Sequence, residues 1–266
     1  TIPAIIAVGF WIAVLFSPRP GLRLLFLVGM VPLLTHLFFS FTRGYWLGFI
    51  VAIVVSTILT WRALNRSGTR ALPRIAGASA GLTLALLLMG SVAVLYVGGG
   101  DVLESAGRRF GSSFSTDASG ETASNIFRLV EYAEALQAIF ASPVVGHGFG
   151  HTIEFRDPFL GDRSNPWFIH NYYLYAAVKM GLLGLLAFGF LIWKLLRGAW
   201  RLMARDIPWQ TRAWAIGCIA ITLQVLAILL TNFNMAEVST AFLVAFAWGV
   251  LWSLDQSAGE TQGKDA

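Results

Sequence analysis

The sequence has few charged residues and only one cysteine. Of its 266 residues, 12% are charged, 56% are hydrophobic and ten are Trp, and the mean hydropathy is +0.69. A soluble domain of this length cannot bury so much apolar surface, so the composition indicates an integral membrane protein. Because Cys218 is the single cysteine, no disulfide can form within the chain, and the redox compartment stays open.

Targeting and repeat signals are also missing. The chain begins at Thr1 and enters an apolar run with no basic segment before it, so we expect part of a longer protein and not a signal peptide. There is no internal repeat and no low-complexity tract. The net charge of +5 and the pI of 9.7 could suggest nucleic acid. The cations lie between apolar runs and not on one face, however, so no nucleic-acid partner is expected.

Seven apolar runs predict an all-α integral membrane bundle of about seven transmembrane helices with one large external loop. Residues 1–97 hold four predicted spans, 98–170 the loop, 171–254 three further spans, and 255–266 a cytoplasmic tail. The runs are Ile2–Phe16, Leu24–Ser40, Tyr45–Trp61, Ile75–Val97, Asn171–Leu196, Ala213–Thr231 and Val238–Leu254.

The distribution of cations predicts the orientation. Of the 19 Lys and Arg residues, most lie in the connections on one side of the predicted bundle. A smaller set, mainly in the long loop, lies on the other side, and Lys179 falls within a span. Because cytoplasmic loops carry the excess of Lys and Arg, the long loop is predicted to face outward.

The long loop contains a segment with helical periodicity. Residues Asn125 to Phe140 place six apolar side chains on one face, with Ser124 as a candidate N-cap and Ser142-Pro143 as the stop. We expect an amphipathic helix whose apolar face lies over the outer surface of the bundle, with Arg128 near its start. The six are Ile126, Leu129, Val130, Ala133, Leu136 and Phe140.

Three side chains could form a reaction site at the outer surface. His170 precedes the fifth span; it is either one more interfacial residue of an aromatic belt or a general base for a hydroxyl nucleophile. Arg43 lies in an outer turn, against the positive-inside bias, and is either a snorkelling cation or a clamp on phosphate. With Arg128, the topology places all three at similar depth, as a lipid-linked phosphate substrate would require.

These segments resemble the O-antigen ligase/polymerase superfamily, the Wzy_C-like integral membrane glycosyltransferases. TRGYWLG resembles the SRG-type motif of that family. Arg128 and the following ALQAIFASPVVGHGFG resemble its Arg, helix and glycine-rich segment, and HNYYLYAAVKMGLLG resembles its HN-x-x-L…G-x-x-G segment. The matches occur in the family's order over roughly Phe41 to Gly184, which corresponds to the C-terminal portion of members that have further N-terminal spans.

The resemblance implies a function and a GT-C-like fold. Such enzymes transfer a glycan from undecaprenyl diphosphate to an acceptor hydroxyl, on lipid A-core or on another glycan, at the periplasmic face of the bacterial inner membrane. Carried over to this chain, His170 is the base and Arg43 and Arg128 bind the pyrophosphate. Further candidate substrate contacts are Asn171, Tyr172, His151 and Arg163.

The residues predict no cofactor and no metal site. Pyrophosphate is a good leaving group that two Arg can stabilise, and the loop acids include no DxD pair. His147 and His151 are four residues apart, a spacing that suits a metal site only on a helix, and the three glycines around them argue against a helix. The glycines could instead let backbone N–H groups bind a phosphate, but a flexible loop is the favoured interpretation. Arg163, like Arg156, either contacts glycan or pairs with a neighbouring Asp.

Three other interpretations were considered. The sequence G-x-S-x-G at Ser79 could suggest a serine protease, but Ser79 lies at the cytoplasmic end of its span, far from any His. A transporter or flippase of a lipid-linked glycan is the alternative to an enzyme; Lys179, the one deep charge, is predicted to be a structural partner or part of a cavity wall. A non-catalytic scaffold is the third, and it places no demand on His170 or Arg43.

Overall fold

The computed structural model describes residues 2–17, 19–40, 42–66, 71–96, 120–153, 155–156, 163–164, 169–205, 207–232 and 238–264. Helices dominate this part of the chain. They are α1 (Ile2–Phe16), α2 (Pro20–Phe39), α3 (Arg43–Arg66), α4 (Ala71–Tyr96), α5 (Gly120–Ala141), α6 (Tyr172–Ala204), α7 (Trp209–Ile228) and α8 (Val238–Lys264). Between α5 and α6, two-residue strands β1 (Phe155–Arg156) and β2 (Arg163–Ser164) pair antiparallel.

A helix occupies most of each of the seven apolar runs, as predicted. Within the described residues, four helices are long and apolar enough to cross a membrane, and α1 is apolar but shorter; the four are α2, α3, α6 and α7. Their length and composition match the roughly 20 residues that a bilayer requires. The chain is therefore an α-helical, multi-pass membrane protein, and the number seven stays a prediction.

Helix α7 is the centre of the bundle, and α3 packs closely along it. A Cβ at Gly48 would lie 2.6 Å from Ile228 Cγ1 and 2.8 Å from the Gln224 carbonyl oxygen. Small side chains at four-residue spacing therefore let the two backbones approach, as is common between membrane helices. The buried series on α3 is Gly44, Gly48, Ala52, Ser56 and Thr60.

Contacts between helix ends agree with the predicted alternation of the spans. The start of α3 meets the end of α7, where a Cβ on Gly44 would clash with the Thr231 hydroxyl. The residues after α6 meet α8, where Arg205 Nη1 lies 3.0 Å from Asp255 Oδ1. In both cases the two elements were predicted to lie on the same side of the membrane.

Helix α6 is broken at Gly181, which corrects the prediction of one continuous span from Asn171. Gly181 has φ 65° and ψ −166°, a backbone conformation found essentially only in glycine. Tyr172 and Phe188 would lie about 24 Å apart along a straight helix, yet their ring centroids are 5.7 Å apart. The chain therefore turns sharply between residues 172–180 (α6a) and residues 182–204 (α6b). With a length of about 34 Å, α6b alone can cross the membrane.

Helix α5 differs from the prediction at its start and in its orientation. It begins at Gly120 and not after Ser124, which lies inside the helix, and it ends at Ala141, directly before Ser142-Pro143 as predicted. The face packed on α6a contains Glu131 and Ala135, with Phe127 at its edge. The predicted apolar face instead points outward, with Leu129 65% and Phe140 78% exposed.

Candidate active site

The strongest feature of the site is a buried carboxylate on α5 that contacts His170. Glu131 is 1% exposed, and its Oε2 lies 3.0 Å from His170 Nδ1. The same oxygen accepts the backbone N–H of His170 at 3.2 Å. Because a carboxylate can only accept, Nδ1 carries a proton, and in the neutral ring the lone pair is on Nε2. The His170 side chain is 29% exposed, so a solute can reach it.

The first residues of α6a fix the backbone that follows His170. The Asn171 side chain accepts the N–H groups of Tyr173 and Leu174 at 2.9 and 3.2 Å, so Asn171 is a helix N-cap. The Tyr172 N–H donates to the Leu229 carbonyl at 3.0 Å, which ties α6a to the end of α7. Asn171 Oδ1 is therefore engaged in capping α6a. The contact between Asn171 and substrate stays a prediction.

The Tyr172 ring is half-buried among other aromatic rings. It stacks on Tyr175, with centroids 5.9 Å apart, and contacts Phe188. The neighbouring Tyr173 hydroxyl donates to the Leu226 carbonyl at 2.9 Å. These tyrosines hold α6a against α6b and α7, and this packing is a structural role that the sequence analysis did not assign to Tyr172.

Arg128 lies one turn before Glu131 on α5 and is half-buried. Burial raises the pKa of Tyr132; the positive charge of Arg128 acts to lower it and the negative charge of Glu131 to raise it. Arg128 and Glu131 are three residues apart on the helix, so their side chains leave it on neighbouring positions of one side. The structure thus brings a cation to the side of α5 that adjoins the His170 contact.

Arg43 is the first residue of α3, and its side chain lies outside the described residues. Its neighbour Gly44 abuts Thr231 and Asn232, with 2.7 Å between a Cβ at Gly44 and Asn232 Nδ2. The Tyr172 N–H reaches Leu229, two residues before Thr231. The backbones at Arg43 and next to His170 therefore meet at the same end of α7.

The break in α6 is filled by the turn that follows α5. The N–H groups of His147 and Gly148 donate to the carbonyls of Val178 and Lys179 at 2.8 and 2.9 Å. In return, the N–H groups of Leu182 and Leu183 donate to the carbonyls of Pro143 and Val144 at 2.8 and 3.1 Å. Four backbone groups exposed by the break are thereby satisfied. We call this arrangement, formed by residues 142–148 and the break at Gly181, the interlock.

Glycine is required at both centres of the interlock. Gly146 has φ 69°, and a Cβ there would lie 2.6 Å from the Gly181 nitrogen. A Cβ on Gly181 would lie 2.6 Å from the Gly146 nitrogen and closer still to the Val144 carbonyl. The favoured interpretation of this segment as a flexible loop is therefore wrong, because its backbone is hydrogen-bonded to α6 and its glycines fit a fixed close contact. The amides of His147 and Gly148 donate to α6 and are not available to a phosphate.

Lys179 secures the same turn and is buried. Its ammonium donates to the carbonyl oxygens of Phe149, at 3.2 Å, and of His151. Its cation also lies 5.4 Å from the centroid of the Tyr175 ring. These contacts are those of a structural partner, which is one of the two roles predicted for Lys179.

His151 and His147 form a stacked pair beside Lys179. Their ring centroids are 4.4 Å apart, and His147 Nε2 donates to the Ala138 carbonyl at 2.7 Å. Burial, the neighbouring His147 and the charge of Lys179 lower the pKa of His151. Within the described residues no three His, Cys, Asp or Glu side chains come together as a metal site would need. His151 thus lies directly beside the interlock, and its predicted contact with substrate stays a prediction.

Arg163 belongs to β2, opposite Arg156, and its side chain is outside the described residues. Among the predicted site residues, the described part of the chain connects His170, Asn171 and Tyr172 directly and brings Arg128 near them through Glu131. Glu131 itself was missed. It is one of several acids in the loop, and the only signal was its place on the side of the helix opposite Leu129.

Comparison with known protein families identifies the family of the chain. A family model described as O-antigen ligase matches residues 28–189, more than half of the chain. The chain belongs to the O-antigen ligase family. The matched range runs from α2 through α5 and α6a into α6b, and so contains Arg43, Arg128, Glu131 and His170. Membership confirms the resemblance found in the sequence and indicates an O-antigen ligase or polymerase type of function.

A comparison with curated protein sequences finds no match.

Proposed function

We propose that this protein is a glycosyltransferase at the periplasmic face of the inner membrane. It moves a glycan from undecaprenyl diphosphate to a hydroxyl of lipid A-core or of another glycan. The observation that supports this most is the His170 ring, reachable from solution and held through Nδ1 by the buried Glu131 carboxylate. Such an arrangement is that of an oriented general base.

In the proposed reaction, His170 Nε2 accepts the proton of the acceptor hydroxyl as its oxygen bonds to the anomeric carbon. The bond from that carbon to the phosphate oxygen breaks, and the electron pair leaves with undecaprenyl diphosphate. Glu131 stabilises the imidazolium that forms. The proton then passes to water, and the ring returns to its starting state.

Arg128 and Arg43 are proposed to bind the pyrophosphate. Two guanidinium groups can pair with its oxygens and stabilise the charge that develops on the leaving group. Arg128 lies one turn from the Glu131–His170 contact, and the backbone at Arg43 meets the same end of α7 as Tyr172. The positions are those a lipid-linked diphosphate at headgroup level would require. No divalent cation is needed in this scheme.

The test uses the full-length protein in proteoliposomes with a polyprenyl-diphosphate oligosaccharide, in the presence of a chelator. Lipid A-core and free glycan are supplied as acceptors in separate reactions. We expect His170→Ala to lose about 10²–10⁴-fold in rate, and Arg128→Ala and Arg43→Ala about 10²–10³-fold each. Transfer to lipid A-core identifies a ligase, and lengthening of the glycan a polymerase.

Matched controls are His36→Ala and Arg201→Ala, which remove an exposed imidazole from α2 and an exposed guanidinium from the last turn of α6. Both should retain transfer. Wild-type transfer by His170→Ala would refute the assignment of the base. Donor binding without transfer to either acceptor would favour a transporter of the lipid-linked glycan.

A further inference from the structure

Helix α5 has two faces with different partners. Leu129 and Glu131 are two residues apart, which at about 100° per residue places them on opposite sides of the helix. The inner face holds Glu131 and Ala135 against α6a. The opposite side is mainly apolar, with Gln137 exposed at its edge, and it points away from the bundle; we call it the apolar face of α5. Its members are Ile126, Leu129, Ala133, Leu136 and Phe140.

The apolar face does not end with the helix. Val144 and Val145, in the turn after α5, are 54% and 65% exposed. The Val144 carbonyl accepts the N–H of Leu183 at 3.1 Å, so the turn lies directly against the first residues of α6b. There Leu183 and Leu186 are again more than half exposed. The apolar surface therefore runs without interruption from α5 into the exposed side of a membrane-crossing helix segment.

We propose that the apolar face of α5 is immersed in the leaflet that surrounds the outer end of α6b, so that α5 is a lipid-bound helix. The exposed side of α6b contacts acyl chains because it belongs to a helix that crosses the membrane. A surface continuous with it, built mainly of aliphatic and aromatic side chains, lies at the same boundary. A helix with such a face and polar flanks binds in the plane of the membrane interface.

Charged residues flank the apolar face. Arg128 lies on one flank and Glu134 on the other, both half-buried. Lipid-bound helices carry their charges at this boundary, where the side chains reach headgroups and water. The apolar face of α5 takes no part in the proposed proton transfer, and lipid is its partner in this proposal.

The proposal is tested by measuring where single side chains lie relative to lipid. Cys218, the one native cysteine, is replaced by Ala, and nitroxide labels are attached to Phe140→Cys and Leu136→Cys in phosphatidylcholine–phosphatidylglycerol liposomes. Collision rates are measured with oxygen, which concentrates in the bilayer, and with a water-soluble nickel chelate. Ala141→Cys is the matched control, since Ala141 is exposed and adjacent to Phe140 but on a different side of the helix. Leu186→Cys gives the value for lipid.

We expect the ratio of oxygen to nickel collisions at Phe140 and Leu136 to equal that at Leu186 and to exceed that at Ala141 several-fold. Frequent collisions with both reagents would mean exposure to water and would overturn the proposal. Rare collisions with both reagents would mean that another part of the chain covers the apolar face. Dipolar broadening between labels would mean that a second copy of the protein covers it. Either result would also overturn the proposal. The result does not depend on glycan transfer, so it stands apart from the proposed activity.

Discussion

Replacing Gly181 with Ala should open the interlock. The backbone at Gly181 has φ 65° and ψ −166°, and forcing a residue with a Cβ into this region costs about 1–3 kcal/mol. The added Cβ would also lie 2.6 Å from the Gly146 nitrogen and closer to the Val144 carbonyl, so the turn at residues 142–148 must move away. The four backbone hydrogen bonds of the interlock are then lost, at about 0.5–1.5 kcal/mol each.

Opening costs about 2–6 kcal/mol for the four hydrogen bonds, but the closed form of the variant carries about 1–3 kcal/mol of backbone strain together with the clashes of the added Cβ. The free-energy difference between the two forms therefore shrinks, and the opened form is populated far more often than in the wild type. The assay is amide hydrogen exchange of the protein in nanodiscs, followed for peptides that contain His147, Gly148, Leu182 and Leu183. We expect these amides to exchange orders of magnitude faster in Gly181→Ala, while those of α7 stay protected. Glycan transfer should fall as well, because the turn holds the end of α5 and with it Glu131.

Gly189→Ala is the control on the same helix. A Cβ at Gly189 meets no atom within 4 Å, so the substitution should stabilise the helix by about 0.5–1 kcal/mol and leave exchange in the interlock unchanged. Equal protection in Gly181→Ala and Gly189→Ala would refute the account of the break.

Two further predictions concern single side chains. Glu131→Gln keeps the shape of the side chain but places an amide NH₂ group against one of the two N–H donors of His170. We therefore expect kcat to fall about 10²–10³-fold with KM nearly unchanged. A wild-type kcat would show that Glu131 does not orient the base. The pKa of His151 lies below its usual 6.5 because of burial, His147 and Lys179, so the unfolded chain binds a proton that the folded protein excludes. Stability should therefore fall as the pH drops through about 6.5 and level off below the folded pKa. His151→Gln should show a smaller fall in unfolding temperature between neutral pH and about pH 5, and an unchanged fall would remove His151 as its source.

The helices of the bundle could be predicted because apolar runs in a membrane protein are rarely anything else. The run Ile2–Phe16 coincides with α1, and Ile75–Val97 differs from α4 by a few residues at each end. What failed was the assumption that the apolar side of α5 packs on the protein. In a chain surrounded by lipid the apolar side can face outward, while a buried acid such as Glu131 faces inward because it has His170 as its partner.

The break at Gly181 could not be read from composition, although Met180-Gly181-Leu182-Leu183-Gly184 stood in the sequence. Glycine occurs often in membrane helices, and hydropathy alone gives a continuous span across it. Only the turn after α5, far away along the chain, supplies the carbonyls and amides that make the break stable. Lys179 is unusual as a charge within an apolar run, and its partners Phe149 and His151 follow directly after that turn.

The close packing of α3 on α7 has a mechanical consequence. With Gly44 and Gly48 pressed against the end of α7, the two helices cannot slide or tilt independently when the bilayer changes thickness. The N–H of Tyr172 is fastened to that same end of α7, so a change in membrane thickness moves the start of α3 and the start of α6a together. We therefore expect the distance between the backbones at Arg43 and Tyr172 to vary little with the lipid composition of the membrane.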